Sequence, residues 1–231
     1  MLSLQSIILP LALAFLFLVS IGSTIPMSKN QAIADAKLWV LLVAGSRGYY
    51  NYRHQADICH AYLALHNHGI PDERIVVMMY NDIAHDPSNP TPGIIVNHLN
   101  GSDFYARVPK DYTGDLVTPK NFLSILQGEK IEGGSGKVIE SGSNDHAFVY
   151  VDGQGAYELI AFPDDELNAT DLIRVIKLMH EQKKFGKLVF YVGASESGSM
   201  FENLLPEMTS TCMRRQRPTV SNHATPVIMT I

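Results

Sequence analysis

The chain has 231 residues, of which 46% are hydrophobic and 18% charged, with a formal net charge of −5. That length suits one well-buried domain and is short for two, and the composition excludes a disordered chain. Acidic and basic residues are mixed along the sequence with no Lys/Arg stripe, no zinc-finger spacing and no internal repeat, which excludes a nucleic-acid binder.

Ile7 to Val19 is an unbroken apolar run, and small residues follow through Ser20, Gly22, Ser23 and Thr24. The run is shorter than the roughly 20 residues that span a bilayer and reads as a secretory signal peptide over residues 1–23, with no membrane attachment once it is cleaved. The sequons Asn100-Gly101-Ser102 and Asn168-Ala169-Thr170 are glycosylation candidates on that route. Cys59 falls in a helical pattern and reads as a small buried hydrophobe, and Cys212 stands far away near the C-terminus.

Strand and helix signals then alternate. Leu38 to Ala44 is a continuous apolar run ending at Gly45, a strand buried on both faces. His54 to Asn67 has helical spacing, with Ile58, Tyr62 and Leu65 on one stripe, and Gly69 and Pro71 end it. Ile75 to Tyr80 reads as the second strand. Asn81 to Val117 is a long excursion rich in Pro, Gly, Asn and Asp. Thr118-Pro119 supplies an N-cap and a first-turn proline for a helix to Gln127, and Gly128 to Ser143 reads as a flexible loop. Ala147 to Val151 is the third strand, followed by a short apolar return over Leu159 to Phe162. Asp171 to Gln182 is an amphipathic helix, Lys187 to Val192 the fourth strand, and Ser199 to Leu205 the start of another helix. This alternation predicts an α/β fold, a mostly parallel sheet flanked by helices on both faces. Its sites form beyond the carboxyl ends of strands, so the segments Gly45–Arg53, Asp152–Glu158 and Gly193–Ser197 should meet at one sheet edge.

Those segments carry a resemblance. Val43 to Asp57, Asn67 to Glu73 with Ile75 to Tyr80, Asn89 to Gly93, Val108 to Gly114 and Glu196 to Met200 occur in the order and wording of the legumain family of cysteine endopeptidases, the asparaginyl endopeptidases or haemoglobinases. The resemblance covers about 170 residues. It implies a caspase-like fold, a peptidase domain over residues 37–206, a peptide or protein substrate, and a lysosomal, vacuolar or extracellular destination. The chemistry it implies asks for no cofactor and no metal ion.

At the family's catalytic positions the sequence departs. The family carries Asp-His-Gly after the third strand and Glu-Ala-Cys-Glu-Ser after the fourth. Here they read Gly153-Gln154-Gly155 and Gly193-Ala194-Ser195-Glu196-Ser197. The histidine position is therefore Gln154 and the cysteine position Ser195, while Asn51 matches the residue that orients the histidine. A cysteine peptidase needs a thiolate and an imidazole that manages protons, so the resemblance implies a family member without activity. A serine hydroxyl would need a base within hydrogen-bond reach, for which His54 or His146 are the candidates. Arg53 and His54 match the family's substrate-binding pair, whereas the pocket acids fall at Gly153 and Gly193. The alternatives are a pseudoenzyme that binds a peptide or partner and a truncated product without function. After Pro206 the sequence leaves the family. Words such as Thr-Ser-Thr-Cys and Arg-Arg-Gln arise when the family's codons are read one base out of register. Residues 207–231 are thus expected to be an unrelated, irregular tail, leaving the sheet incomplete with one edge unpaired.

Overall fold

The computed structural model describes residues 36–98, 101–203, 211–214 and 227–231. The apolar run at Ile7–Val19 and the sequon residue Asn100 lie outside them. No helix among the described residues is long and apolar enough to cross a membrane.

Four parallel strands form the frame: β1 (Leu38–Ala44), β2 (Ile75–Met78), β3 (His146–Asp152) and β7 (Lys187–Gly193). In chain order the intervening strands are β4 (Gly155–Ala156), β5 (Leu159–Ala161) and β6 (Glu166–Asn168), which make a small antiparallel sheet of their own. The helices are α1 (Tyr52–Asn67), α2 (Pro119–Gln127) and α3 (Ala169–Glu181). The main sheet runs β2-β1-β3-β7 in parallel and continues through β9 (Val227–Thr230) and β8 (Thr211–Arg214) in antiparallel pairing.

The α/β reading therefore holds, with the sheet mixed rather than purely parallel. Two sequence expectations end differently here. Of the tail after Pro206 the described residues are 211–214 and 227–231, and where the outer edge of β7 was expected to stay unpaired, Val227–Thr230 pairs with Val192–Val189 and Thr211–Arg214 adds a further strand. Both segments contain β-branched residues, and an open backbone edge is satisfied by any extended chain in reach. Ser199 to Leu205 read as a helix. Residues Ser197–Phe201 form a 3-10 turn instead, because the Ser199 hydroxyl donates to Glu196 O at 2.6 Å and its N–H donates to the same carbonyl at 2.9 Å.

Alternation along the strands sorts the layers. Trp39, Leu41 and Val43 join Val149, Val151, Phe190 and Val192 in a core shared with Phe122, Ile125 and Leu126 of α2 and Leu172, Ile176 and Met179 of α3. Val40, Leu42 and Ala44 are fully buried on the opposite face, where α1 packs. Helices thus cover both faces, which is what a sheet of continuous apolar strands requires.

Capping residues set the helix limits. Thr118 accepts a hydrogen bond from Asn121 N at 3.2 Å, Pro119 opens the first turn, and Gly128 closes α2 at φ +82°. Strand β2 stops at Met78 rather than Tyr80. The Met79 N–H turns to Tyr112 O at 3.1 Å, and Asn81 takes φ +68°. The Gly128–Ser143 segment, read as flexible, is tied down. Lys137 Nζ forms an ion pair with the buried Asp111 at 2.9 Å and donates to Ile75 O at 2.8 Å. The Tyr112 hydroxyl donates to Lys137 O at 2.6 Å.

Candidate active site

The strand order reverses direction at β1, since β2 lies on one side of it and β3 on the other. In an open α/β sheet the crevice beyond the carboxyl ends at such a switch point is where ligands bind. Three segments meet there. Gly45 N donates to Asp152 O at 2.8 Å, and Gly153 N donates to Gly193 O at 3.3 Å. A side chain on Gly155 would meet Ser195 O at 2.6 Å and Ala194 Cβ at 3.0 Å. One on Gly45 would meet Ala161 O at 2.6 Å, so glycine is required for both close approaches.

The loop after β1 is fixed by polar side chains of α1 and its neighbours. Asp82 accepts hydrogen bonds from Gly48 N and Gln55 Nε2, each at 2.6 Å, and holds Gly48 at φ +84°. Arg47 reaches across to Asp164 at 2.7 Å on the surface. Asn51 precedes α1 without a side-chain cap bond because its amide is used elsewhere. Its Nδ2 donates to Arg47 O at 3.0 Å, and its Oδ1 accepts from Gln154 Nε2 at 3.3 Å. The structure thus brings Asn51 and Gln154 together, with Gln154 exposed at the mouth of the crevice and Ser195 half-buried beside the β3–β4 turn.

The two histidines named as candidate bases, His146 and His54, each have a fixed place in the fold. His146 begins β3, opposite Leu38 and Lys187, at the other end of the sheet. With a rise of roughly 3.3 Å per residue, it stands about 20 Å from the strand's carboxyl end. His54 is 2% exposed, and its Nδ1 shares a 2.7 Å hydrogen bond with the Ser46 hydroxyl. Burial, with Arg53 beside it, pushes its pKa down to about 4, so the ring is neutral and weakly basic. Arg53 is exposed and His54 is not, so this sequence pair is split between solvent and core. Cys59 is free, fully buried and held as a thiol, its pKa pushed up to about 12 by burial.

Sequence reasoning missed two carboxyl groups at this edge. Asp152 closes β3 at 7% exposure, and its Oδ2 has no hydrogen-bond partner among the described residues. Burial and the Asp57 carboxyl hold its pKa well above the ordinary carboxylate range, while Arg53 acts the other way. Asp57, one turn after Arg53 on α1, is also raised by burial, and it accepts a 2.7 Å hydrogen bond from Asn97 Nδ2. Two neighbouring buried carboxyl groups disfavour ionising together, which is the direction of both shifts. The signal in the sequence was the polar Asp152 ending an otherwise apolar strand. Among the described residues no group of His, Cys, Asp and Glu could hold a metal ion.

Comparison with known proteins places this geometry. Residues 38–225 match the pattern of the peptidase C13 family. The chain is 53% identical to a protein named legumain from Bos taurus over 191 residues, 81% of this chain and 44% of that one. It is 49% identical to hemoglobinase from Schistosoma mansoni over 181 residues, 78% of this chain and 42% of that one. It is 53% identical to the vacuolar-processing enzyme delta-isozyme of Arabidopsis thaliana over 182 residues, 78% and 39% respectively. The chain therefore spans less than half the length of these curated relatives. A match over most of the described fold, at about half identity and with the three site segments meeting beyond the strand ends, means that this chain belongs to the peptidase C13 family.

Proposed function

We propose that this chain is a legumain-type peptidase domain that binds a peptide segment and does not cleave it. The observation that carries the reading is the pairing at the crevice mouth. Where a cysteine peptidase of this family needs an imidazole, Gln154 stands with its amide bonded to Asn51 at 3.3 Å, next to Ser195 in place of a thiol. An amide takes up no proton near neutral pH and a serine hydroxyl is hardly ionised there, so neither half of the proton-transfer pair forms. The low basicity of His54 and the distance of His146 support the same conclusion for a serine mechanism.

Peptide binding is supported by what remains. The loops beyond the strand ends at the switch point are held by Asp82, Gln55 and Asn51, and Arg53 stands exposed at the start of α1. The resemblance supports an extended peptide or protein as ligand. The names and the apolar run Ile7–Val19 support a secretory route to a lysosomal or vacuolar compartment or the exterior.

The test is hydrolysis of a fluorogenic peptide with asparagine before the scissile bond, between about pH 4 and pH 7, a window that spans the carboxylate and histidine ranges. The purified chain is expected to show no turnover. Turnover abolished by Ser195→Ala would overturn this reading and establish a serine nucleophile, whereas turnover indifferent to that change marks a contaminant.

A further inference from the structure

The excursion from Asn81 to Val117 is rich in polar residues, and polar side chains of α1 seat it. Val96 N donates to the Tyr52 hydroxyl and Asn97 Nδ2 to Asp57 Oδ1, each at 2.7 Å. Three residues beyond Asp57, on the same side of α1, His60 stands half-buried with its ring 4.6 Å from that of Phe104. His98, from the excursion itself, meets the same phenyl ring edge-on at 6.4 Å. A polar turn presents that ring. Asp103 accepts hydrogen bonds from Ile95 N, Tyr105 N and Ala106 N at 2.9–3.2 Å, and Phe104 N donates to Ile95 O at 2.8 Å. Two imidazoles from two elements therefore share one aromatic ring at the joint between the excursion and α1.

We propose that His60, Phe104 and His98 form an acid-released latch, which seats the turn on α1 while both imidazoles are neutral and lets it go when they are protonated. The latch involves neither Ser195 nor Gln154, and it holds whether or not the chain binds peptide.

Geometry gives the switch its sign. His60 Nδ1 is buried and has no hydrogen-bond partner among the described residues. The neutral ring can leave that nitrogen bare, whereas the imidazolium carries a proton on both nitrogens and would bury a donor with no acceptor. The phenyl face compensates a cation in part, but it gives Nδ1 no acceptor and cannot relieve repulsion between two imidazolium rings. The neighbouring carboxyls are already engaged. On α1 Asp57 is occupied by Asn97, and on the excursion Asp103 is occupied by three backbone N–H groups. Lys110, its Nζ held by Tyr105 O and Val108 O, and the exposed Arg107 add positive charge only. Burial, and then His98, accordingly hold the His60 pKa below its ordinary value. A lowered folded pKa makes the stabilisation complete above the unfolded value of about 6.5, and it is lost as pH falls below that.

The experiment is hydrogen exchange with mass spectrometry on the full chain at about pH 7 and about pH 5, either side of the histidine range, with rates corrected for the intrinsic effect of pH. Protection of the Val96, Phe104 and Tyr105 amides is expected to fall about tenfold at the lower pH, the effect of a one-unit shift in one imidazole. Helix α2, whose Phe122 and Leu126 lie in the core, is the internal reference and should keep its protection. His60→Phe keeps a ring against Phe104 and takes no proton, so its protection should be the same at both pH values. His98→Gln should lose part of the effect. Equal protection at both pH values in the wild type, or an equal fall in His60→Phe, would overturn the latch. A fall shared by α2 would overturn it too, since that marks global unfolding. If His60→Phe does not fold, NMR titration of the wild-type imidazole protons decides. Release must then share its midpoint with His60, and a midpoint near the carboxylate range of about 4 overturns the proposal.

Discussion

At the scale of the residue, the proposal that the chain does not cleave peptide rests on Ser195 and Gln154 and is tested by changing them. Ser195→Cys alone returns a thiol with no imidazole to ionise it, and Gln154→His alone returns a base with no thiol. Residues that act as a unit are not additive, so each single change is expected to give no turnover of an asparaginyl fluorogenic peptide. The double change should give, at most, turnover far below that of an intact peptidase, because Gly153 and Gly193 still lack the pocket acids. A single change with measurable activity would show that the other position already serves.

The buried titratable groups at this edge make stability depend on pH in two opposed ways. Asp152 and Asp57 have folded pKa values raised by burial, so their contribution is complete below the unfolded value of about 4 and is lost as pH rises toward the folded one. His54 has a folded pKa lowered from 6.5 to about 4, so its neutral form is favoured and stability is lost as pH falls through that interval. Thermal melts of wild type and Asp152→Asn across pH 4 to 8 should separate them. Above about pH 5 the wild type should lose Tm more steeply than the variant. Parallel curves would mean that Asp152 is already ionised in the fold.

Elements were legible where one local signal decided them. Thr118, Pro119 and Gly128 mark both ends of α2 in the sequence, and the apolar runs give the four parallel strands to within two residues. What was hidden is long-range. Lys137 sits among glycines and serine and reads as loop, yet it compensates Asp111, which is 3% exposed and also accepts from Val77 N at 3.0 Å. The pair spans segments that no sequence window joins. Lys137→Ala leaves that carboxylate buried with a backbone donor and no cation, and is expected to cost about 3 kcal/mol in urea denaturation. A loss below about 1 kcal/mol would place the pair with ordinary surface ion pairs. Asn89 is similar. It is 5% exposed, and its amide donates to Ile83 O, Ala84 O and Ile94 O at 3.0–3.2 Å, organising an excursion that reads only as Pro- and Asn-rich. The site followed the same pattern. The meeting of three strand ends was legible from the βαβ alternation, but the Asp57–Asp152 pair joins α1 to β3 and no spacing rule links those two residues.

For the molecule as a whole, the secretory reading makes one surface prediction. Asn168 precedes α3 as its N-cap, is exposed, and makes no capping hydrogen bond, so a glycan there removes no helix contact. A tagged chain expressed in animal cells should therefore carry a glycan that endoglycosidase removes, with part of the mobility shift abolished by Asn168→Gln. A full-length, unglycosylated cytosolic product would count against the secretory route. Normal far-UV circular dichroism of the Asn168→Gln variant would confirm that the helix did not depend on the side chain.

The register of the sheet also sets how the chain reaches its native state. β1 finds β2 after one helix, but its other neighbour begins at His146, paired with Leu38 across the whole excursion from Asn81 to Ser143. The central strand stays half-flanked until that distant segment arrives, and β7 has nowhere to dock before β3 is in place. Pairings of such high contact order form slowly, on the order of milliseconds to seconds, because loop closure precedes any gain from the contacts. Inserting near Gly133 a flexible linker as long as the whole Asn81–Ser143 excursion should raise the closure cost by only about 0.6 kcal/mol. Stopped-flow refolding should then slow by roughly threefold or less while unfolding stays unchanged. The speed of assembly is thus governed by how soon two remote β-strands collide.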